Sequence, residues 1–281
     1  MPDAGAQMPN VARIYDCLLG GKDNVEADRM AARQVVDAVP EAARFARENR
    51  DFLGRAVRFM IGHGVDQFID VGTGLPTNGH VHQVTADECP DARVVYVDID
   101  PVVLVHARAL IPPNGRTAVV EGDMRNPETI IDYATTRKLI DFSRPVGVLL
   151  VAMLHFAADE DDPARIVRSF TAPLAAGSAV AISHVTSDGP SKMAVREVEA
   201  IYANASAPGT ARSRTEITAL FSGLDLVPPG VVSVPDWRPD TPERHRHGRS
   251  QWLLGGVGVV PAGRPTPQTR LVDSGGATRF E

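Results

Sequence analysis

Seven short apolar runs, separated by segments with helical signals, limit the folds open to residues 61–260. Most of the runs are rich in Val, Ile and Leu without strict alternation, as strands buried on both faces should be. They are Gln67–Val71, Arg93–Val97, Ala118–Glu121, Val146–Ala152, Ala179–His184, Leu224–Val234 and Trp252–Val260. Strands that alternate with helices predict an α/β fold with a seven-stranded, mostly parallel sheet. The insert Pro235–Ser250 between the last two runs predicts a late antiparallel hairpin.

Helix-start signals follow several of the predicted strands. In three places a side chain that can cap a helix precedes a proline, which loses no hydrogen bond at the first helical position. The pairs are Asp100–Pro101, Asn126–Pro127 and Asp162–Pro163. Ser213 and Glu216 form a capping-box pattern that predicts a further helix to about Phe221. These starts favour successive βα units.

The two ends of the chain differ from this core. Residues 10–60 predict an N-terminal helical cap, followed by a Rossmann-like core at residues 61–260. Residues 1–9 and 261–281 are rich in Pro, Gly, Ser, Thr and charge, without helical or strand periodicity. That composition predicts a disordered N-terminal tail and a flexible C-terminal tail.

Composition narrows the class of protein. The chain of 281 residues is 43% hydrophobic, enough for a core, and its net charge of -6 is spread without a basic stripe. We therefore expect no nucleic-acid partner. No apolar run is long enough to span a membrane, no leader pattern opens the sequence, and Cys17 and Cys89 lack disulfide or zinc spacing. These features predict a soluble, cytoplasmic protein without a membrane partner, and leave the oligomeric state open, a homodimer included.

A glycine-rich turn follows the first predicted strand. Asp70, Gly72 and Gly74 form an acid and a Gly-x-Gly turn, with Thr77 or Asn78 as the expected cap of the next helix. Glycines there let the backbone approach a ligand at the edge where open α/β sheets bind ligands. A dinucleotide fingerprint would have a third glycine where Thr77 stands. The departure counts against a pyrophosphate on this helix.

Acids also end the next two predicted strands. Asp98 ends the second, where a carboxylate can accept hydrogen bonds from both ribose hydroxyls, as it does in NAD sites. Asp123 follows the third, at a point where an NAD site needs no acid. Each acid alone could cap a loop or helix, but three at consecutive strand ends favour a nucleoside site.

Three segments resemble class I S-adenosylmethionine-dependent methyltransferases. They are Asp70-Val-Gly-Thr-Gly, Tyr96-Val-Asp-Ile-Asp-Pro and Glu121-Gly-Asp-Met-Arg. The stretches 9–24, with its Leu-Leu-Gly-Gly-Lys-Asp-Asn run, and 149–156 are more specifically similar to an actinobacterial S-adenosyl methyltransferase family, formerly a domain of unknown function. The resemblance covers about residues 9–260. It implies a Rossmann-like class I methyltransferase fold and S-adenosylmethionine as the cofactor.

The resemblance also implies roles for residues at the strand ends. Gly72 and Gly74, beside Asp70, would line the methionine end of the cofactor, and Asp98 would hold the ribose. The adenine would lie at Asp123 and the Met124 backbone.

Residues 11–24 are expected to form a lid over the cofactor. Tyr15, Gly21 and Asn24 are its candidate cofactor-binding residues. The alternative is a surface helix ended by glycine, with a solvated charge cluster after it.

Two histidines are candidate catalytic residues. Methyl transfer from a sulfonium mainly requires alignment and exclusion of water, with a base only if the acceptor must lose a proton. His155 and His184 follow the fourth and fifth predicted strands and could act as that base, or could simply bond to the backbone. His245 and His247 stand two apart without a carboxylate cluster, so we expect a solvated loop there and no metal site.

These observations predict a methyltransferase that acts on a small-molecule acceptor, with O-methylation slightly favoured over N-methylation because of the histidines. Two alternatives stay open from the sequence. One is an NAD(P)-dependent oxidoreductase, and the other is a non-catalytic regulatory protein that binds S-adenosylmethionine.

Overall fold

The computed structural model describes residues 8–76, 79–111, 114–240 and 251–263. Its strands are β1 (Gln67–Val71), β2 (Arg93–Asp98), β3 (Thr117–Glu121), β4 (Gly147–Val151), β5 (Ala179–Val185), β6 (Asp225–Leu226), β7 (Val232–Ser233) and β8 (Leu253–Val259). Its α-helices are α1 (Val11–Leu19), α2 (Glu26–Ala38), α3 (Ala42–Ile61), α4 (Val81–Glu88), α5 (Pro101–Leu110), α6 (Pro127–Asp132), α7 (Ala134–Leu139), α8 (Pro163–Thr171), α9 (Lys192–Tyr202) and α10 (Arg214–Ala219). Within these ranges, no helix combines the length and apolar character that crossing a membrane requires.

All strands belong to one sheet in the order β3-β2-β1-β4-β5-β8-β6, with β7 also paired to β8. The first five are parallel, and β8 runs antiparallel to β5. The strand order reverses between β1 and β4, which is the point where open α/β sheets form a ligand crevice. The predicted α/β, Rossmann-like fold with a mostly parallel sheet and a late antiparallel part is confirmed.

The last predicted strands differ in one detail. The run Leu224–Val234 forms two short strands, β6 and β7, which pair with different parts of β8. Pro228 and Pro229 lie between them and have no N–H to donate to a neighbouring strand. Gly230 follows with φ +86°, so the chain turns away from the sheet before it returns.

Two apolar layers cover the sheet. Ile69 and Val71 of β1 point to one face, against α6, α8 and α10, while Phe68 points to the other, against α3. This alternation is the period of two that a strand imposes on its side chains. Because both faces are covered, the central strands can be almost wholly apolar, as the sequence indicated.

The N-terminal helices pack together beside this sheet. α1 starts at Asn10, whose side chain accepts hydrogen bonds from the N–H groups of Ala12 and Arg13, and it ends at Gly20 in a left-handed conformation. Buried residues of α1 and α2 form one cluster with Val195 of α9 and with Trp252. The later part of α3, in contrast, packs on the sheet, so helices near the predicted boundary at residue 60 belong to both layers. The division at that residue stays a prediction.

Most of the predicted helix starts are observed. The side chains of Asp100, Asp162 and Ser213 accept hydrogen bonds from the first turns of α5, α8 and α10. Asn126 precedes α6 without such a bond. Thr77 and Asn78 lie outside the described residues, and α4 begins at Val81.

Candidate active site

A cavity of about 610 Å³ lies at the carboxyl ends of β1, β2, β3 and β4. The strand ends contribute carboxylates to its lining, whereas the N-terminal helices, α9 and residues 206–211 contribute mainly apolar side chains together with a few polar ones, Asp16 and Arg50 among them. Eight of the predicted site residues line it, namely Tyr15, Asp70, Gly72, Gly74, Asp98, Asp123, Met124 and His155. Gly21, Asn24 and His184 are not part of the lining.

The turn after β1 requires its two glycines for different reasons. Gly72 has φ +71°, and a Cβ built there would lie 1.9 Å from the Met153 sulfur. Gly74 has φ +66° and open space around its Cα, and its N–H donates to Asp98 Oδ2 at 3.0 Å. Both conformations are costly for residues with a side chain. The turn therefore brings bare backbone to the cavity wall.

Asp98 is buried at the end of β2 and is held by two backbone N–H groups. Gly74 donates to Oδ2 and Asp100 donates to Oδ1, each at 3.0 Å. Burial raises the pKa of Asp98, and these hydrogen bonds oppose the rise. Since each carboxylate oxygen has two lone pairs, the group retains acceptor capacity for a ligand.

Asp70 lies at the end of β1 with only 5% of its surface exposed. Burial raises the pKa of Asp70 to about 6, and the positive charge of Arg50 opposes the rise. Arg50 belongs to α3 and lines the same cavity. The sequence did not indicate Arg50, because it is one of several arginines on an amphipathic helix.

The Asp123 carboxylate is already paired with Arg125, which competes with the adenine expected there. Its carboxylate accepts hydrogen bonds from the Arg125 backbone N–H and from the Arg125 guanidinium, the shortest at 2.7 Å. Burial alone would raise the pKa of Asp123, but the hydrogen bonds and charge of Arg125 lower it. Arg125 therefore takes up most of the acceptor capacity that the sequence assigned to adenine.

The two histidines have different environments. The ring of His184 contacts the Val185 carbonyl oxygen through Nδ1 at 2.7 Å, so Nδ1 carries the proton. Nε2 then accepts from Arg212 Nη1 at 3.0 Å. With both nitrogens engaged away from the cavity, the structure does not support His184 as a general base.

His155 does line the cavity, packed against the Phe156 ring at 4.4 Å. Its Nδ1 is buried and has no hydrogen-bond partner among the described residues. Burial, reinforced by His184 and Arg212, lowers the pKa of His155 well below its ordinary value. The ring is therefore neutral near pH 7 and has an unused nitrogen.

The predicted lid contacts both the cavity and its rim. The Tyr15 hydroxyl donates to the Ala46 carbonyl oxygen at 3.0 Å and accepts from the Asn49 amide. At the start of α1, the Asn10 amide donates to the Asp100 carboxylate. Helix α1 thus spans from the end of β2 to α3 across the cavity.

Gly21 and Asn24 contact Asp16, a residue of the cavity lining. The sequence did not indicate Asp16 as a site residue. The Asn24 amide and the Asp23 N–H donate to Asp16 Oδ2 at 2.8 and 3.1 Å. A Cβ at Gly21 would lie 1.9 Å from Asp16 Oδ1, which is buried and has no hydrogen-bond partner within the described ranges. The Gly-Gly-Lys-Asp-Asn run therefore holds a buried carboxylate at the cavity.

Within the described ranges, no three His, Cys, Asp or Glu side chains come together in a group that could hold a metal ion. His245 and His247 lie outside those ranges.

Comparison with known proteins identifies the family of the chain. The sequence profile described as S-adenosyl methyltransferase matches residues 2–261. The chain belongs to this family. It is 41% identical to a protein from Thermobifida fusca assigned as a methyltransferase, with 93% of this chain and 99% of that chain covered and a TM-score of 0.86. A DUF574 family protein from Streptomyces avermitilis is 38% identical, with 91% and 99% covered and a TM-score of 0.86.

No curated protein matches the sequence. Family membership nevertheless makes the chain an S-adenosylmethionine-dependent methyltransferase of class I fold. S-adenosylmethionine is its cofactor.

Proposed function

We propose that the protein transfers the methyl group of S-adenosylmethionine to a small molecule inside this cavity, with O-methylation favoured over N-methylation. The observation that carries the proposal is a single cavity with two kinds of wall. Its strand-end side has nucleoside-type acceptors and, after β4, the neutral His155, whereas the side formed by the helices is largely apolar. The volume of about 610 Å³ lies within the about 300 to 1,000 Å³ typical of small-molecule sites.

In this proposal the parts of the cofactor follow the order of the strand ends. The methionine end lies at Gly72 and Gly74, beside Asp70, and the ribose hydroxyls donate to the remaining lone pairs of Asp98. The adenine lies at the Met124 backbone, and Asp123 receives its amino group only if Arg125 gives up part of its pairing. Tyr15 of α1 lines the cavity beside Arg50, at the methionine end.

The apolar side is the proposed acceptor chamber. Phe45 and Trp252 stack there with ring centroids 6.4 Å apart, and Phe156 and Tyr202 lie 5.9 Å apart. Aromatic walls favour flat, largely apolar molecules. Helix α1 and residues 206–211 also line the cavity, and walls formed by several segments of the chain favour a small acceptor over a macromolecular one.

His155 is the proposed group that handles the proton of the acceptor. When bound, S-adenosylmethionine supplies the electrophilic methyl group, and the chain has to align the acceptor and exclude water. The neutral His155 ring offers one nitrogen that can accept a hydrogen bond from a hydroxyl. Its lowered pKa makes it a weak base, so its main effect is to orient the acceptor oxygen.

Labelling tests the proposal directly. The protein is incubated with methyl-labelled S-adenosylmethionine and, separately, with phenols and amines below about 500 Da, with bulk RNA and with bulk protein. We expect label only in small molecules, phenols above amines, and its loss in the Asp98→Ala variant. Calorimetry should show at least about tenfold weaker S-adenosylhomocysteine binding to that variant, since two charge-assisted hydrogen bonds are lost. Label in RNA or protein, or unchanged affinity in a folded variant, would refute the proposal.

A further inference from the structure

Arg50 is a charged residue of the cavity lining to which the proposed pose gives no role. It lies on α3, beside the residues at the end of β1. Its Nε is buried and has no hydrogen-bond partner in the described part of the chain. A buried guanidinium nitrogen without a partner is costly, and a bound anion would remove that cost.

The only other guanidinium along the described cavity wall is already paired. Arg125 is bound by the Asp123 carboxylate at 2.7 Å, at the opposite end of the polar side. No described carboxylate forms an ion pair with Arg50. Of the two arginines that line the described cavity, Arg50 is therefore the one whose guanidinium can still donate hydrogen bonds to an anionic ligand.

The position of Arg50 determines which part of the cofactor it can contact. The sheet order places Asp123, Asp98 and Asp70 in succession along the strand ends. In the proposed pose these positions correspond to adenine, ribose and the methionine end. Arg50 stands next to Asp70, close enough for its charge to lower the pKa of that carboxyl against the effect of burial. Arg50 is thus at the amino-acid terminus of the cofactor.

The orientation of Arg50 is constrained from two sides. Its guanidinium carbon lies 5.8 Å from the centroid of the Tyr15 ring, and Tyr15 is itself hydrogen-bonded to α3. The Cγ of Arg50 would lie 3.3 Å from a Cβ built at Gly79, so the aliphatic part of the Arg50 side chain packs against the backbone at Gly79. A guanidinium held in this way presents the planar fork that matches a carboxylate.

We propose that Arg50 binds the α-carboxylate of the methionine portion of S-adenosylmethionine, opposite an α-amino group that faces Asp70. The two side chains then match the opposite charges of the amino-acid zwitterion. Arg50 selects the complete cofactor over adenosyl compounds without a carboxylate. The inference rests on the cofactor pose proposed above.

The test compares ligands that differ only in the carboxylate. Calorimetry measures the dissociation constants of S-adenosylhomocysteine and of its carboxamide for the wild type, Arg50→Gln and Arg47→Gln. Arg47 is the matched control, because it lies one turn earlier on the same helix and is exposed. We expect the wild type to prefer the carboxylate by about tenfold to a hundredfold. The preference should fall to about twofold or less in Arg50→Gln and persist in Arg47→Gln.

Two results would overturn the assignment. One is a wild type that binds the acid and the carboxamide equally well, a result that needs no folded variant. The other is an Arg50→Gln protein that weakens both ligands by the same factor, as expected if Arg50 only balances the charge of Asp70.

A third ligand separates failure of this inference from failure of the pose. 5′-Methylthioadenosine has the ribose and adenine but no amino-acid portion, so Arg50→Gln should change its affinity less than about threefold while Asp98→Ala weakens it at least tenfold. If Asp98→Ala leaves the affinity for 5′-methylthioadenosine unchanged, the cofactor pose is wrong and the Arg50 assignment loses its basis. If Asp98→Ala weakens 5′-methylthioadenosine binding as expected but Arg50→Gln still prefers the carboxylate over the carboxamide, only the Arg50 assignment is overturned.

Discussion

Neutralising Asp70 should make the cofactor-free protein more stable and a poorer binder of cofactor. Burial raises the pKa of Asp70 from its ordinary value of 3.8 to about 6, so the ionised carboxylate is unfavourable in the native state. At about 1.4 kcal/mol per pKa unit, the native state at pH 7.5 carries a penalty of about 3 kcal/mol. The Asp70→Asn variant has nearly the same shape without the charge. We expect its free energy of unfolding at pH 7.5 to rise by about 1 to 3 kcal/mol.

The pH dependence gives this prediction its sign. In the unfolded chain Asp70 loses its proton near pH 3.8, whereas in the native protein it keeps the proton up to about pH 6. The native state binds more protons between these values, so this group lowers stability as pH rises through that window, and the loss stays constant above it. The advantage of Asp70→Asn should therefore be nearly absent at pH 4 and complete at pH 7.5.

Urea denaturation at pH 4, 5, 6 and 7.5 measures this advantage without ligand. Asp37→Asn is the matched control, because it makes the same chemical change at an exposed position on α2. Binding of S-adenosylhomocysteine at pH 7.5 should weaken in Asp70→Asn, since the partner of the α-amino group loses its charge. An Asp70→Asn protein that is less stable at pH 7.5, or equally stabilised at pH 4 and pH 7.5, would refute the reasoning.

Two further predictions concern the turn and the lid. Gly72→Ala should destabilise the cofactor-free protein by about 2 to 4 kcal/mol in urea denaturation, because backbone strain adds to the clash with Met153. Gly74→Ala introduces backbone strain without a clash, so it should destabilise the protein by only about 1 to 2 kcal/mol. Equal costs would contradict the role of Met153. For the lid, hydrogen exchange of residues 15–24 should slow on saturation with S-adenosylhomocysteine, since α1 lines the proposed cofactor site. Exchange that is unchanged by the ligand would leave α1 as a structural helix.

Local signals were sufficient for most of the fold. Five of the predicted strands correspond to β1–β5 within a residue or two, because buried parallel strands need continuous apolar runs. Asp100 and Asp162 were found as helix caps, since capping depends on neighbours within three residues. The division of Leu224–Val234 was missed, although Pro228 and Pro229 were a visible sign that the strand would break.

The candidate site depended on contacts that no sequence pattern indicated, some local and some between distant residues. His155 and His184 look equivalent in the sequence, but Arg212, 28 residues further along, engages His184 and leaves His155 in the cavity. Asp123 looked free for adenine, yet Arg125 turns back to pair with it. Gly21 and Asn24 were expected to face the cofactor, and the fold directs them to Asp16 instead.

The sequence alone determined the class of fold, the acids and glycines at the strand ends, and the family. Those properties depend on periodicity and on short motifs whose residues are neighbours in the chain. Only the tertiary structure decided which of those groups share one cavity, that Arg50 lines it together with Asp70, and that α1 forms part of its wall. Such pairings join residues far apart in sequence, as in the bond from Ser183 to Asn49 across 134 positions. They follow from the order of strands in the sheet and from the packing of helices on it, which no local pattern encodes.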